Sequence, residues 1–160
     1  MKQLGRPIFK APALVNTGEW INSGPISPES LRGKVVVVHF YAFGCINCIH
    51  NLPAYRDWQE RYKDSDVVIV GIHTPETPAE RKVDSVRDEA AEQKLGFPIV
   101  VDGRNENWDA WGNSIWPSVC LLDKEGYLRH WWHGELNWQG ATGEASMRGW
   151  IDELLAEPAT

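Results

Sequence analysis

The sequence predicts an α/β fold, a three-layer α/β/α sandwich around a mixed central sheet. Three observations point to it. The run from Val35 to Tyr41, VVVVHFY, holds four consecutive valines, and such a β-branched run suits a strand buried on both faces in the middle of a sheet. Gly44 comes next, where the chain can turn sharply, and Cys45-Ile46-Asn47-Cys48 opens a helical pattern that continues through Leu52, Tyr55 and Trp58. A second apolar run, Val67 to Ile72, completes a β-α-β order, and a later strand pair around Asp123-Lys124-Glu125-Gly126 supplies antiparallel partners.

Each element has its own signal. Residues 1–12 carry Pro7 and Pro12 and read as an extended arm. Ala13-Leu14-Val15 and Glu19-Trp20-Ile21 flank Asn16-Thr17-Gly18, a loop with hairpin chemistry. Ser27-Pro28-Glu29-Ser30-Leu31 reads as a capped single turn, with proline at the first helical position and Gly33 as its stop. Pro53, five residues past Cys48, is expected to kink the helix that Cys45 opens. Thr77-Pro78-Ala79-Glu80 reads as a helix start with a capping box. Val83, Val86, Ala90 and Leu95 then form an irregular apolar stripe ended by Gly96, with a charged, solvated opposite face. Phe97 to Val101 is a short strand, and Asn105 to Gly112 a short helix presenting Trp108 and Trp111. Ser118 to Leu122 and Tyr127 to Trp132 form the hairpin. Met147, Trp150, Ile151, Leu154 and Leu155 fall at helical spacing behind Thr142 as cap. No internal repeat or linker interrupts the chain, so residues 1–160 read as one domain.

Composition narrows the function classes. The chain carries 22 acidic and 16 basic residues, a net charge of -6, which argues against nucleic acid or anionic lipid as the main partner. No apolar run approaches the roughly 20 residues of a membrane span, and the first twelve residues lack the apolar core of a signal peptide. Three cysteines fit one redox pair plus one odd thiol rather than a disulfide framework.

The position of Cys45 and Cys48 gives them chemistry. Residues three apart in a first helical turn lie on one side of the helix, with Cβ atoms roughly 5–6 Å apart, within a small adjustment of disulfide geometry. The unpaired N–H groups and partial positive charge of a helix N-terminus favour a thiolate at Cys45, the attacking species in exchange. Cys48, one turn in, suits the resolving attack. A Cys-x-x-Cys also reads as half a zinc site, but only Cys120 and scattered histidines remain to complete it, so no metal site is expected. Cys120, on an apolar strand, is expected to pack as a small hydrophobe. His130 and His133 read as exposed strand positions, and His50 turns away from Cys45.

Strand, turn, Cys-x-x-Cys, helix and a proline five residues past the second cysteine resemble the active site of the thioredoxin superfamily. The stretch FGCINCIHNLP is similar to bacterial TlpA-, ResA- and DipZ-type thiol–disulfide oxidoreductases. The resemblance runs from about Ala11 to the end of the chain. It implies a thioredoxin-like sandwich with a small N-terminal hairpin and a helical insert around residues 74–104. It also implies a cis peptide at Trp116-Pro117 beside the cysteine pair, with Trp116 making a bulky apolar rim.

Thioredoxin has a buried aspartate that relays a proton for the second cysteine. Here the matching residue is His39, which either does that work or is a half-buried histidine bonded to a carbonyl. The implied activity is exchange of electrons with protein disulfides or dithiols. It needs no cofactor, takes a protein or peptide disulfide as substrate and a redox protein as second partner, and is expected of a monomer. An extracytoplasmic setting is implied if the chain was trimmed, a cytoplasmic one if Met1 is the native start. The rival readings are a thiol peroxidase, a metallochaperone holding copper through Cys45, Cys48 and His73, and a non-catalytic binding module. The first is disfavoured because Ala42 stands where peroxiredoxins have a threonine.

Overall fold

The computed structural model describes residues 9–14 and 18–159. In chain order the elements are β1 (Phe9–Lys10), β2 (Trp20–Ile21), α1 (Pro28–Leu31), β3 (Val35–Tyr41), α2 (Ile46–Arg61), β4 (Val67–His73), α3 (Val83–Glu92), β5 (Ile99–Val101), α4 (Glu106–Ala110), β6 (Ser118–Leu122), β7 (Tyr127–His133) and α5 (Gly143–Ala156). One mixed sheet runs β1-β7-β6-β3-β4-β5-β2.

The valine run is the central strand. All seven residues of β3 are buried, and β3 pairs parallel with β4 and antiparallel with β6. Alternation divides it between two cores. Val35, Val37 and Tyr41 meet Cys48, Leu52, Tyr55 and Trp58 of α2, with α3 and α5 packed beside them. Val36, Val38 and Phe40 face the other way, toward Trp108 of α4, with Leu31 of α1 and Leu14 of the N-terminal segment. Burying one valine contributes roughly 1.5–3 kcal/mol. The four together therefore match much of a domain's net stability of about 5–15 kcal/mol, so a polar residue here would unfold the protein rather than retune it. Trp58 adds a polar tie: its ring is fully buried and its Nε1 donates to Glu144 Oε2 of α5 at 2.8 Å.

The expected N-terminal hairpin does not form among the described residues. β1 pairs with β7 and β2 with β5, at opposite edges of the sheet. The physical reason is that β5 and β7 would each leave a row of unpaired backbone groups, and two short segments cover two edges where a hairpin would cover one. Of the expected arm, residues 1–8 lie outside the described residues, as do 15–17 of the expected loop.

Other expectations hold with adjusted ends. Ser27 caps α1, accepting from Ser30 N, and α2 continues through Pro53. The stretch around 74–104 carries a helix and also β5, which adds a parallel strand to β4. Its first turn, Pro78–Arg81, is a 3-10 turn separate from α3, and α3 ends ahead of Lys94, at φ 58°, rather than at Gly96. Thr142 makes no side-chain cap; Glu144 N is held by Asn137 Oδ1 instead. His130 is buried, not exposed, because its ring stacks on Trp150 at 4.4 Å.

Candidate active site

The central strand delivers the chain to a tight turn. Cys45 N donates to Ala42 O at 3.1 Å, and Cys45 becomes the N-cap of α2 in an extended conformation, φ -94° and ψ 112°. Its Sγ takes the place of the usual capping oxygen and accepts from Cys48 N at 3.3 Å. Cys45 is half-buried, Cys48 is buried, and both are free thiols.

The two thiols differ in acidity. Burial raises the Cys45 pKa, bonds from the Cys48 side chain and backbone N–H pull it back, and the exposed Glu76 carboxylate pushes it up again. The net direction is upward, against the lowering expected from the helix terminus alone. Cys48 is pushed far higher, first by burial and then by its bond to the Cys45 sulfur. Within the pair, Cys45 therefore ionises first.

Two side chains that accept from the turn come from one stretch, His73 to Glu80. β4 runs parallel to β3, so the two strands end on the same side of the sheet and their outgoing loops lie next to each other. His73 is buried, and its Nε2 accepts from Phe43 N at 3.0 Å. Burial lowers its pKa to about 4, against the opposing pull of Glu80. Glu80, 2% exposed, accepts from Gly44 N through Oε2 at 3.1 Å and from Thr77 N through Oε1 at 3.2 Å. Thr74 O accepts from Trp116 Nε1 at 2.9 Å, and Thr74 Oγ1 donates to Asp102 Oδ2 at 2.7 Å. Asp102 in turn accepts from Asn107 N and Trp108 N at the start of α4.

The Trp116-Pro117 peptide is cis. Trp116 is half-buried and stacks on Trp108 with ring centroids 3.8 Å apart, so its indole is anchored inward rather than standing free at a rim. Pro117 O accepts from Gly134 N at 2.8 Å, and Gly134 O accepts from Asn51 Nδ2, one turn beyond Cys48, at 3.2 Å. The exposed apolar groups on these segments are Ile46, at 65%, and Ile115, at 39%.

His39 is fully buried on the α2 side of β3, stacked on Tyr55 at 3.9 Å and on Phe97 at 4.9 Å. Neither ring nitrogen has a hydrogen-bond partner among the described residues, so the carbonyl-bonded alternative is not what forms. Burial lowers its pKa to about 3. Cys120 is half-buried against the second core, and burial raises its pKa to about 12. His50 turns outward to Glu135 at 2.7 Å. Among the described residues, no group of three or more His, Cys, Asp or Glu side chains converges on a common point.

Comparison with known proteins places this geometry. Residues 7–131 match the model of the AhpC/TSA family. The chain belongs to that family. It is 38% identical over 128 residues to protein DipZ of Mycobacterium tuberculosis, covering 78% of this chain and 18% of DipZ. It thus spans under a fifth of that relative's length. The thiol-disulfide oxidoreductase YkuV of Bacillus subtilis is 28% identical over 147 residues, covering 91% of this chain and 94% of YkuV. A crystallised thioredoxin-like superfamily protein superposes with a TM-score of 0.83 at 28% identity, over 94% of this chain and 99% of that one. The fold is thioredoxin-like. No helix of the described residues is long and apolar enough to cross a membrane.

Sequence reasoning singled out Cys45, Cys48, Trp116, Pro117, His39 and, as a ligand in the copper reading, His73. It missed Glu80, Glu76 and Thr74. The capping box at Thr77 was legible, but it accounted for only one of the two Glu80 oxygens. The available signal was positional, since residues just past the carboxyl ends of adjacent parallel strands converge.

Proposed function

We propose that the chain is a thiol–disulfide oxidoreductase acting through Cys45 and Cys48, folded as a single domain over residues 1–160. The observation that carries the reading is the half-buried Cys45 sulfur at the start of α2, accepting from Cys48 N at 3.3 Å while the Cys48 thiol lies behind it in the core. The Cys45 thiolate attacks one sulfur of a substrate disulfide, forming a mixed disulfide and releasing the other substrate sulfur as a thiolate. The Cys48 thiolate then attacks Cys45 Sγ, closing Cys45–Cys48 and releasing the second substrate thiol. Two electrons and two protons pass to the substrate, and a redox partner protein restores the dithiol. Run in reverse, the same steps oxidise a dithiol.

The substrate is a protein or peptide disulfide presented in an extended segment beside the backbone of Trp116. Strand addition gives affinity without demanding a sequence, and the exposed Ile46 and Ile115 side chains support an apolar flank on the substrate cysteine. His39 enters only as core: a base held neutral to about pH 3 is too weak to take a thiol proton efficiently near neutrality.

The test is reduction of insulin by the purified protein with dithiothreitol as donor. The wild type should accelerate precipitation of the reduced insulin chain, and Cys45→Ser should return the rate to that of dithiothreitol alone. A wild-type rate equal to that blank would end the reading.

A further inference from the structure

We propose that Glu80 and His73 are positioning residues that together set the place of the Cys45 sulfur, by clamping the turn between β3 and α2; this rests on the reading of Cys45 as the nucleophile. The clamp grips two consecutive backbone donors. Phe43 N–H goes to His73 Nε2 at 3.0 Å and Gly44 N–H to Glu80 Oε2 at 3.1 Å. The two acceptor atoms stand 4.0 Å apart. With Ala42 O accepting from Cys45 N at 3.1 Å, each residue from Ala42 to Cys45 has a backbone group fixed.

The parts fit this use better than a merely structural one. Glu80 is a carboxylate with 2% exposure, although its capping bonds to Thr77 alone would be satisfied at the surface. Its hydrogen bond from Gly44 N reaches 36 positions along the chain. A histidine accepting at Nε2 is neutral and carries its proton on Nδ1. The buried surroundings of His73, whose pKa falls to about 4, keep it in that state near neutral pH.

Gly44 completes the fit. Its φ is not in the left-handed region, so no turn geometry demands glycine. A Cβ there would instead lie 3.0 to 3.4 Å from the Glu80 carboxylate atoms, so glycine admits the close approach of the clamp. Because Glu80 also holds Thr77 N, it fixes the segment carrying Glu76, the carboxylate that bears on the Cys45 thiol.

The experiment compares wild type, Glu80→Ala, Glu80→Gln and His73→Phe in two readouts. Amide exchange by NMR reports the turn, and the rate of Cys45 alkylation by iodoacetamide in the reduced protein reports the sulfur. In the wild type the Phe43 and Gly44 amides should be protected. Glu80→Ala should free the Gly44 amide and His73→Phe the Phe43 amide. Freeing the turn alters the burial of the Cys45 sulfur and its distance from the Glu76 carboxylate, the two influences that raise its pKa. One unit of pKa changes the thiolate fraction at pH 7 about ten-fold, so Glu80→Ala and His73→Phe should each change the alkylation rate by about that factor. Glu80→Gln, whose amide oxygen still accepts from Gly44, should restore both readouts.

A freely exchanging Gly44 amide in the folded wild type would overturn the proposal, as would a Glu80→Ala protein that alkylates like the wild type. Should Glu80→Ala not fold, the wild-type amides and Glu80→Gln decide it: protected amides with rescue support the clamp, and unprotected amides refute it. Neither readout uses a disulfide substrate, so loss of insulin reduction in the wild type would refute the function without touching this test.

Discussion

The start of α2 and the stretch from His73 to Glu80 meet at one turn, yet they do different work. The helix start carries the atoms proposed to react, Cys45 Sγ and the buried Cys48 thiol behind it. The second stretch carries no thiol and bonds to the turn ahead of the first, through His73 to Phe43 and Glu80 to Gly44, while its Thr74 holds the Trp116 indole. The contrast separates two kinds of information. The proposed reacting pair is encoded by neighbours in sequence, whereas the two acceptors that hold its turn lie 30 and 36 positions from their donors.

Substitutions can break or sharpen this contrast. The largest effect is expected at the reacting atom: Cys45→Ser should abolish disulfide exchange while leaving the thermal midpoint near that of the wild type. If activity survives, the chemistry does not belong to the helix start. Gly44→Ala comes next, because it touches the junction of the two regions. The added methyl presses on the buried Glu80 carboxylate, and overpacking of this kind costs typically about 1–3 kcal/mol. Combined with Glu80→Ala in a double-mutant cycle, it should be clearly non-additive. Additive losses would mean that Gly44 and Glu80 do not press on each other.

An acid limb in stability is expected from the buried histidines, above all His73 and His39, with His130 lowered by burial in the same direction. His73 is lowered to about 4 and His39 to about 3, from an ordinary value of 6.5. Above about pH 6.5 both folded and unfolded forms are neutral, and no stability depends on pH through these groups. Below it, the unfolded chain takes up protons that the folded core refuses. Stability then falls as pH drops toward 4, by about 1.4 kcal/mol per unit for each histidine. His39→Leu should lessen the slope between pH 6 and 5, measured by urea unfolding, and leave the rates of mixed-disulfide formation and release as in the wild type. A slope unchanged by this substitution would contradict the buried neutral state, and a selective slowing of release would return His39 to a proton-relay role.

The smallest effect is expected at Cys120. Cys120→Ala removes little volume and should cost on the order of 1 kcal/mol, with exchange rates unchanged. A folded variant that loses turnover would bring a third thiol into the mechanism.

Legibility tracked the range of the interactions. The valine strand, the helix start, the cis Trp116-Pro117 and the β6–β7 hairpin were all readable, because each is specified by adjacent residues or a familiar order of elements. The N-terminal segment misled, since Asn16-Thr17-Gly18 has hairpin chemistry while the sheet offered two edges to cover. Glu80 was read correctly as a cap and incompletely as a site, because nothing local tells that its second oxygen reaches Gly44. The acidity of Cys45 was misjudged for a related reason. The helix terminus is visible in sequence, but the burial and the Glu76 carboxylate that act against it come from the fold.

The most direct test of the central claim is to trap the intermediate. Cys48→Ser leaves the attacking sulfur and removes the resolving one, so mixing the reduced variant with a disulfide peptide should yield a stable adduct. Mass mapping should find the peptide on Cys45 alone, and wild-type protein under the same conditions should carry no adduct but a Cys45–Cys48 disulfide. An adduct on Cys120, or no adduct at all, would contradict the account.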